Sequence, residues 1–214
     1  MISPLTGPFA ILRADVLLEM ISGIFSLTIA LLSLEASRRI GSKTLTQLGI
    51  GFLLMAVAML SRALSVSGLL TSVGEISRIE FLSQLFVLEI IYSVIRVAGY
   101  IIFIYLYAST MGDAHKKASI VPKAIAIYNP SFELFSAILL FFVVYRTALN
   151  WMSAKRHFAW SVFLGFTLLM GSHISFLLSN ISFIFYLAGH ITQLISLTLF
   201  LFAVIVVRLN EKGI

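Results

Sequence analysis

Apolar residues run in six long stretches along the chain, separated by short polar segments, and each stretch is close to the ~20 residues a helix needs to cross the hydrocarbon of a bilayer. These stretches predict helices over residues 16–34, 45–68, 81–108, 131–149 and 158–179, with a sixth running from just after Asn180 to about 207. Pro4 and Pro8 are expected to keep the segment before the first helix irregular. Arg38, Arg39, Gly41 and Lys43 form the first turn, and Tyr100, Phe103, Tyr105 and Tyr107 give the third helix an aromatic end of the kind found at membrane surfaces. Period-2 alternation of apolar and polar residues, which a membrane β-barrel needs, is absent. The expectation is an all-α integral membrane protein of six transmembrane helices.

Part of the pattern repeats. Leu18 to Ile24 and Gly51 to Ser65 return 114 positions later as Phe132 to Ile138 and Gly165 to Ser179, with Glu19/Glu133, Ser22/Ser136, Gly51/Gly165, Phe52/Phe166, Ser61/Ser175 and Ser65/Ser179 as matched residues. The third and sixth stretches do not align well at any offset. Two three-helix units are implied, residues 1–110 and 131–214, joined by a polar linker at 111–130 that holds Asp113, His115, Lys116, Lys117 and Lys123. Three crossings is an odd number, so the second unit is expected to enter from the opposite side as an inverted repeat, an arrangement common in transporters.

Composition narrows the class. Sixty per cent of residues are hydrophobic and 11% charged, with a mean hydropathy of +1.05, so the surroundings of this chain are lipid. The net charge of +6 is scattered in short clusters between apolar runs, which suits lipid headgroups and not nucleic acid. Counting Arg13, Arg78, Lys155, Arg156, Arg208 and Lys212 on the side of the termini against Arg38, Arg39, Lys43, Lys116, Lys117 and Lys123 on the other gives a tie, so orientation is undecided. No cysteine is present, which removes disulfide and thiolate chemistry. No cleaved signal peptide is expected; the cell membrane is the expected location.

The run SLEASRRIGSKTLTQLGIGFLLMAVAML, a basic turn followed by Gly-Ser and a helix opened by Gly-Phe, resembles small multi-pass membrane proteins of archaeal type. The resemblance covers about the first hundred residues. It implies a source more than an activity, since those families carry no established one.

Ionisable groups at bilayer depth are costly and each needs a reason. Glu19, Arg62, Glu89, Arg96, Glu133, His173 and His190 are the candidates. Depth along the helices groups them into two mirrored triads in opposite leaflets, Glu19/Arg62/Glu89 and Glu133/His173/His190, with Arg96 pairing to Glu89. The triads can be interhelical glue or a proton or ion path. Two histidines on different helices also raise a bis-histidine b-type haem, or a zinc or copper site completed by Glu133; neither is predicted as a resident cofactor, because each imidazole has a local partner. Asp15 and Asp113 are expected at the interface. No nucleophile elbow, phosphate loop or His-Glu-x-x-His motif occurs, so a non-catalytic role is expected. Two classes follow. One is an accessory or structural subunit of a larger membrane complex, such as a respiratory or redox assembly, with other membrane subunits or further copies as partners. The other is a small transporter or channel built on the polar clusters.

Overall fold

The computed structural model describes residues 8–72, 77–109, 129–154, 159–179 and 181–211. They form six helices: α1 (Pro8–Ile40), α2 (Lys43–Thr71), α3 (Arg78–Ser109), α4 (Asn129–Ala154), α5 (Ala159–Leu178) and α6 (Phe183–Glu211). All six are long and apolar enough to span a membrane. The charged linker residues Asp113, His115, Lys116, Lys117 and Lys123, together with Lys155, Arg156, His157, Asn180 and Lys212, lie outside the described residues.

Helix ends follow local chemistry and reach beyond the apolar runs. Pro8 is the first residue of α1 rather than part of an irregular lead-in, because its missing N–H costs nothing in a first turn. α1 closes at Gly41, whose φ of 70° suits only a residue without a side chain, and whose N–H bonds to the Ser37 carbonyl at 2.8 Å. Ser42 then caps α2 by accepting from the Leu45 N–H. α3 starts before residue 81 because Ser77 and Glu80 exchange bonds as a capping box, Ser77 N to Glu80 Oε2 at 2.9 Å and Glu80 N to Ser77 Oγ at 3.3 Å.

Each helix packs on the next in the chain, and α6 closes onto α1, so the bundle is a ring of six. Side-chain contacts give the direction of every helix. α1 and α2 are antiparallel, with Ser26 on Met59 and Gly49 on Ala30, and α2 and α3 likewise, with Arg62 on Glu89 and Gly51 on Phe103. α3 and α4, however, run the same way. Phe132 at the start of α4 shares a crevice with Leu82, Phe86 and Glu89 near the start of α3. Asn150 and Ser153 at its end share another with Leu106 and Tyr107 near the end of α3. α1 and α6 are parallel too, Asp15 facing His190 and Glu35 facing Arg208.

The two units therefore point in one direction. The expected inversion gives way to a parallel repeat whose pseudo-dyad lies along the helices, the other repeat architecture known in transporters. The odd number of helices per unit predicts inversion only if α4 begins at the end where α3 stops, and it begins at the opposite one.

Four phenylalanines display this axis. Phe52 and Phe166 correspond at the offset of 114, and Phe103 corresponds to Phe200 at an offset of 97. Their rings contact one another in a closed quartet: 52–103 at 5.1 Å, 52–200 at 4.9 Å, 166–103 at 5.3 Å and 166–200 at 4.6 Å between centroids. Backbone approaches repeat at the same offsets. Gly51 packs under the Phe103 ring and Gly165 under Phe200. Gly99 lies against the Gly51 carbonyl, while Ser196 Oγ donates to the Gly165 carbonyl at 2.7 Å. The third and sixth helices are thus equivalent after all.

Parallel units also break the charge tie. Call the end where α1 begins the near end and the other the far end. Among the described residues, Arg13 and Arg78 belong to the near end, and Arg38, Arg39, Lys43, Arg146 and Arg208 lie toward the far end. By the positive-inside rule the far end is the expected cytoplasmic side. The chain lacks cysteine, so single cysteines report cleanly. In intact cells Ser77→Cys is expected to react with a membrane-impermeant maleimide, and Ser153→Cys only after permeabilisation; equal reaction of both from one side would refute the parallel arrangement. In thermal melts Gly165→Ala, whose Cβ would sit 2.9 Å from the Phe200 ring, is expected to cost about 1–3 kcal/mol. Gly171→Ala, with nothing nearer than Thr192 at 3.9 Å, should be neutral or gain up to ~1 kcal/mol from helix propensity.

Candidate functional site

Arg62 on α2 is the hub of the polar interior. Its Nη1 donates to Asp15 Oδ2 at 2.9 Å and pairs with Glu19, both on α1, and its Nε donates to Glu89 Oε1 on α3 at 2.6 Å. Asp15, Glu19 and Ser22 recur at helical spacing, so α1 turns one polar face inward. Asp15 and Glu19 are each 3% exposed. Asp15 was expected at the interface; because α1 already begins at Pro8, it lies two turns inside.

The second group is built on α3, α4 and α5. Arg96 pairs with Glu133 and donates from Nη1 to the Tyr92 hydroxyl at 2.9 Å. The other Glu133 oxygen meets His173 Nδ1, and His173 Nε2 lies 2.6 Å from the Tyr100 hydroxyl. A carboxylate only accepts, so Nδ1 carries the proton and neutral His173 accepts from Tyr100 at Nε2. Tyr100, His173, Glu133 and Arg96 form one hydrogen-bonded chain.

Tyr92 joins the two groups. The Arg62 guanidinium stands 5.3 Å from its ring centroid and the Arg96 guanidinium 4.6 Å. The mirrored triads in opposite leaflets are replaced by one network to which all six helices contribute. Glu19, Arg62 and Glu89 come together as expected, and so do Glu133 and His173. Two partners change. Arg96 takes Glu133 in place of Glu89, and His190 leaves Glu133 for Asp15, its Nε2 lying 3.1 Å from Oδ1. Both changes follow from helix direction: with α4 parallel to α3 and α6 parallel to α1, the start of each second-unit helix lies at a different depth from the one inferred by inversion. Asp15, Tyr92 and Tyr100 are the members sequence reasoning missed. The signal available for Asp15 was its four-residue spacing from Glu19.

The charge balance is uneven. Asp15, Glu19, Glu89 and Glu133 face two guanidiniums, Arg62 and Arg96. Before the two imidazoles are counted, carboxylates outnumber guanidiniums by two, a deficit of positive charge. Protons or another cation must make up that deficit, because uncompensated charge in low dielectric is expensive. Buried polar atoms also remain without hydrogen-bond partners, among them the Ser22 and Ser136 hydroxyls at repeat-equivalent positions, Ser33 Oγ, Ser93 Oγ, Arg96 Nε and His190 Nδ1.

The arrangement does not fit a haem between the two histidines. Both nitrogens of His173 are engaged, and Phe176 stands between the imidazoles, 6.4 Å from His173 and 4.9 Å from His190. A zinc or copper site using both histidines with Glu133 fails equally, since His190 faces Asp15, and no group of three metal-ligating side chains occurs among the described residues.

Comparison with protein-family models, curated proteins and solved structures finds no match to this chain. The archaeal-type resemblance therefore has no support beyond the basic turn and Gly-Phe helix that carry it.

Removing one partner of a buried ion pair typically costs about 3–5 kcal/mol, because the other charge is left uncompensated. Arg62→Leu and Arg96→Leu are each expected to lose stability on that scale in detergent unfolding. The double variant Arg96→Leu/Glu133→Leu should recover part of the loss. Single variants within ~1 kcal/mol of the parent would mean that water already screens these pairs.

Proposed function

We propose that the protein is a small membrane transporter in which the Arg62–Tyr92–Arg96 network binds the coupling proton or cation. The observation that carries this reading is the excess of carboxylates over guanidiniums in a largely buried network shared by six helices. Structural glue works best when charges cancel; a network two charges short changes its occupancy whenever a proton arrives. Tyr100–His173–Glu133 supplies donors and acceptors in series along which a proton can shift.

A transporter is favoured over an open channel because the axis is filled. On α2 the Phe quartet lies ten residues beyond Arg62 toward the far end, about 15 Å at the helical rise, and its four rings close the centre. Movement of one three-helix unit against the other would open and close that plug. The junctions between units are suited to movement: Asp15–His190 and Glu133–Arg96 each cross one of them, and the unpaired Ser93 hydroxyl beside the second is free to take water when that junction opens. The accessory-subunit reading rested on a lack of chemical motifs, and the network supplies ionisable chemistry that a passive subunit does not need. This proposal includes no catalytic step, and it places the protein in the cell membrane with the basic far end inside.

Proteoliposomes holding a pH-sensitive dye test it. Small cations, anions and neutral polar solutes are added outside in turn, with protein-free vesicles as the blank. At least one class is expected to drive proton movement, reduced several-fold by Glu19→Gln or Glu133→Gln. No solute-dependent proton movement across the whole panel would sink the reading.

A further inference from the structure

We propose that the crevice between α3 and α4 at the near end binds a small lipophilic cation, an amine or quaternary ammonium with an apolar body, that enters sideways from the lipid. The assignment deepens the transport reading, on which it rests for its role, by naming a substrate class.

The crevice has a volume of about 220 Å³, below the ~300 Å³ floor of drug-sized pockets, so its occupant is small. Leu82 and Phe86 at its mouth are 53% and 50% exposed on the lipid side of the bundle. Phe132 is buried and, with Leu85 and Ile90, makes the walls apolar. Two polar groups lie among these apolar walls. Glu89 is the least buried carboxylate around Arg62, its side chain 18% exposed against 4% for Asp15 and for Glu19. Ser93 Oγ is buried in a residue 1% exposed and has no hydrogen-bond partner.

Electrostatics select the sign of the ligand. Three carboxylates surround the single Arg62 guanidinium, so a positive charge arriving at Glu89 meets a surplus of negative charge and an anion meets repulsion. A neutral apolar occupant would leave the Glu89 carboxylate desolvated without compensation. The aromatic rings of Phe86 and Phe132 can add cation–π attraction to either kind of cation, and a protonated amine can also donate an N–H to the unpaired Ser93 hydroxyl, which a quaternary ammonium cannot. The other junction is not equivalent: at the offset of 97, Tyr186 stands where Glu89 would be and His190 where Ser93 would be. The repeat therefore holds one such site.

The test uses the full chain in lipid nanodiscs with phenethyltrimethylammonium and its uncharged isostere (3,3-dimethylbutyl)benzene, protein-free nanodiscs serving as the blank. Saturable binding of the ammonium that the isostere does not displace is expected. Glu89→Gln should weaken it roughly tenfold or more, the scale of truncating a buried charge partner. Phe132→Trp, which fills the crevice and leaves the ion network intact, should abolish it even if Glu89→Gln does not fold. No saturable binding, displacement by the isostere, or unchanged binding in Phe132→Trp would overturn the site, the second outcome marking it as a seat for a lipid chain. Solute-driven proton movement by a protein that fails to bind the ammonium overturns this site alone. Saturable binding of the predicted kind without proton movement upholds the site and removes the transport reading.

Discussion

A guanidinium cannot be left in hydrocarbon without company, and Arg62 meets that demand from its own unit by recruiting carboxylates from both neighbouring helices. The requirement fixes how α1, α2 and α3 pack: α1 must turn Asp15 and Glu19 inward, and α3 must bring Glu89 to the level of Arg62. Arg96 imposes the same demand on a different partner. Its carboxylate, Glu133, belongs to the second unit, so the ion pair that neutralises α3 also ties the two halves together. Hydrophobic association cannot do this in a membrane, because lipid tails are as apolar as the side chains they would displace.

Symmetry and its loss divide the molecule by function. The Phe quartet and the Gly51 and Gly165 approaches obey the pseudo-dyad closely, as expected of a frame whose packing tolerates little change in volume. The polar layer does not. Where the first unit has Met59, Arg62, Glu89 and Arg96, the second has His173, Phe176, Tyr186 and Gln193. Two copies of one three-helix unit have kept the scaffold and divided the chemistry, one half holding both guanidiniums and the other the imidazoles.

Much of this was legible in the sequence. Six apolar runs of membrane length announced the helices, and the single offset of 114 over two helices announced the units. Glu19, Arg62 and Glu89 could be grouped because depth counted along adjacent antiparallel helices is reliable. Helix direction was not legible. It depends on where residue 129 sits relative to residue 109, and no periodicity within a helix carries that information. One wrong direction then displaced every second-unit residue in depth, which is why His190 and Arg96 were given the wrong partners. The equivalence of α3 and α6 was hidden for a separate reason. The offset drops by 17, from 114 to 97, of which the shorter α5, 20 residues against 29 in α2, supplies nine, and few side chains besides Phe103 and Phe200 survive to mark it.

The arrangement along the axis is itself an argument for transport. The buried ionisable groups occupy the near side and the middle of the bundle, the half-exposed Glu35–Arg208 pair apart, and the aromatic plug occupies the side toward the basic end. A protein that needed its charges only for cohesion would have no reason to place them on one side of a hydrophobic barrier. Ser93, Arg96 and His190, at or beside the contacts between units, hold polar atoms without hydrogen-bond partners, as do Ser22, Ser33 and Ser136, although an unpaired buried hydroxyl costs about 1–3 kcal/mol wherever it lies. That cost is tolerable if another state of the molecule repays it with water or ligand. On the transport reading proposed above, the junctions are the planes along which the two units separate, and the plug is the contact that must break before anything bound near Glu89 can reach the far end.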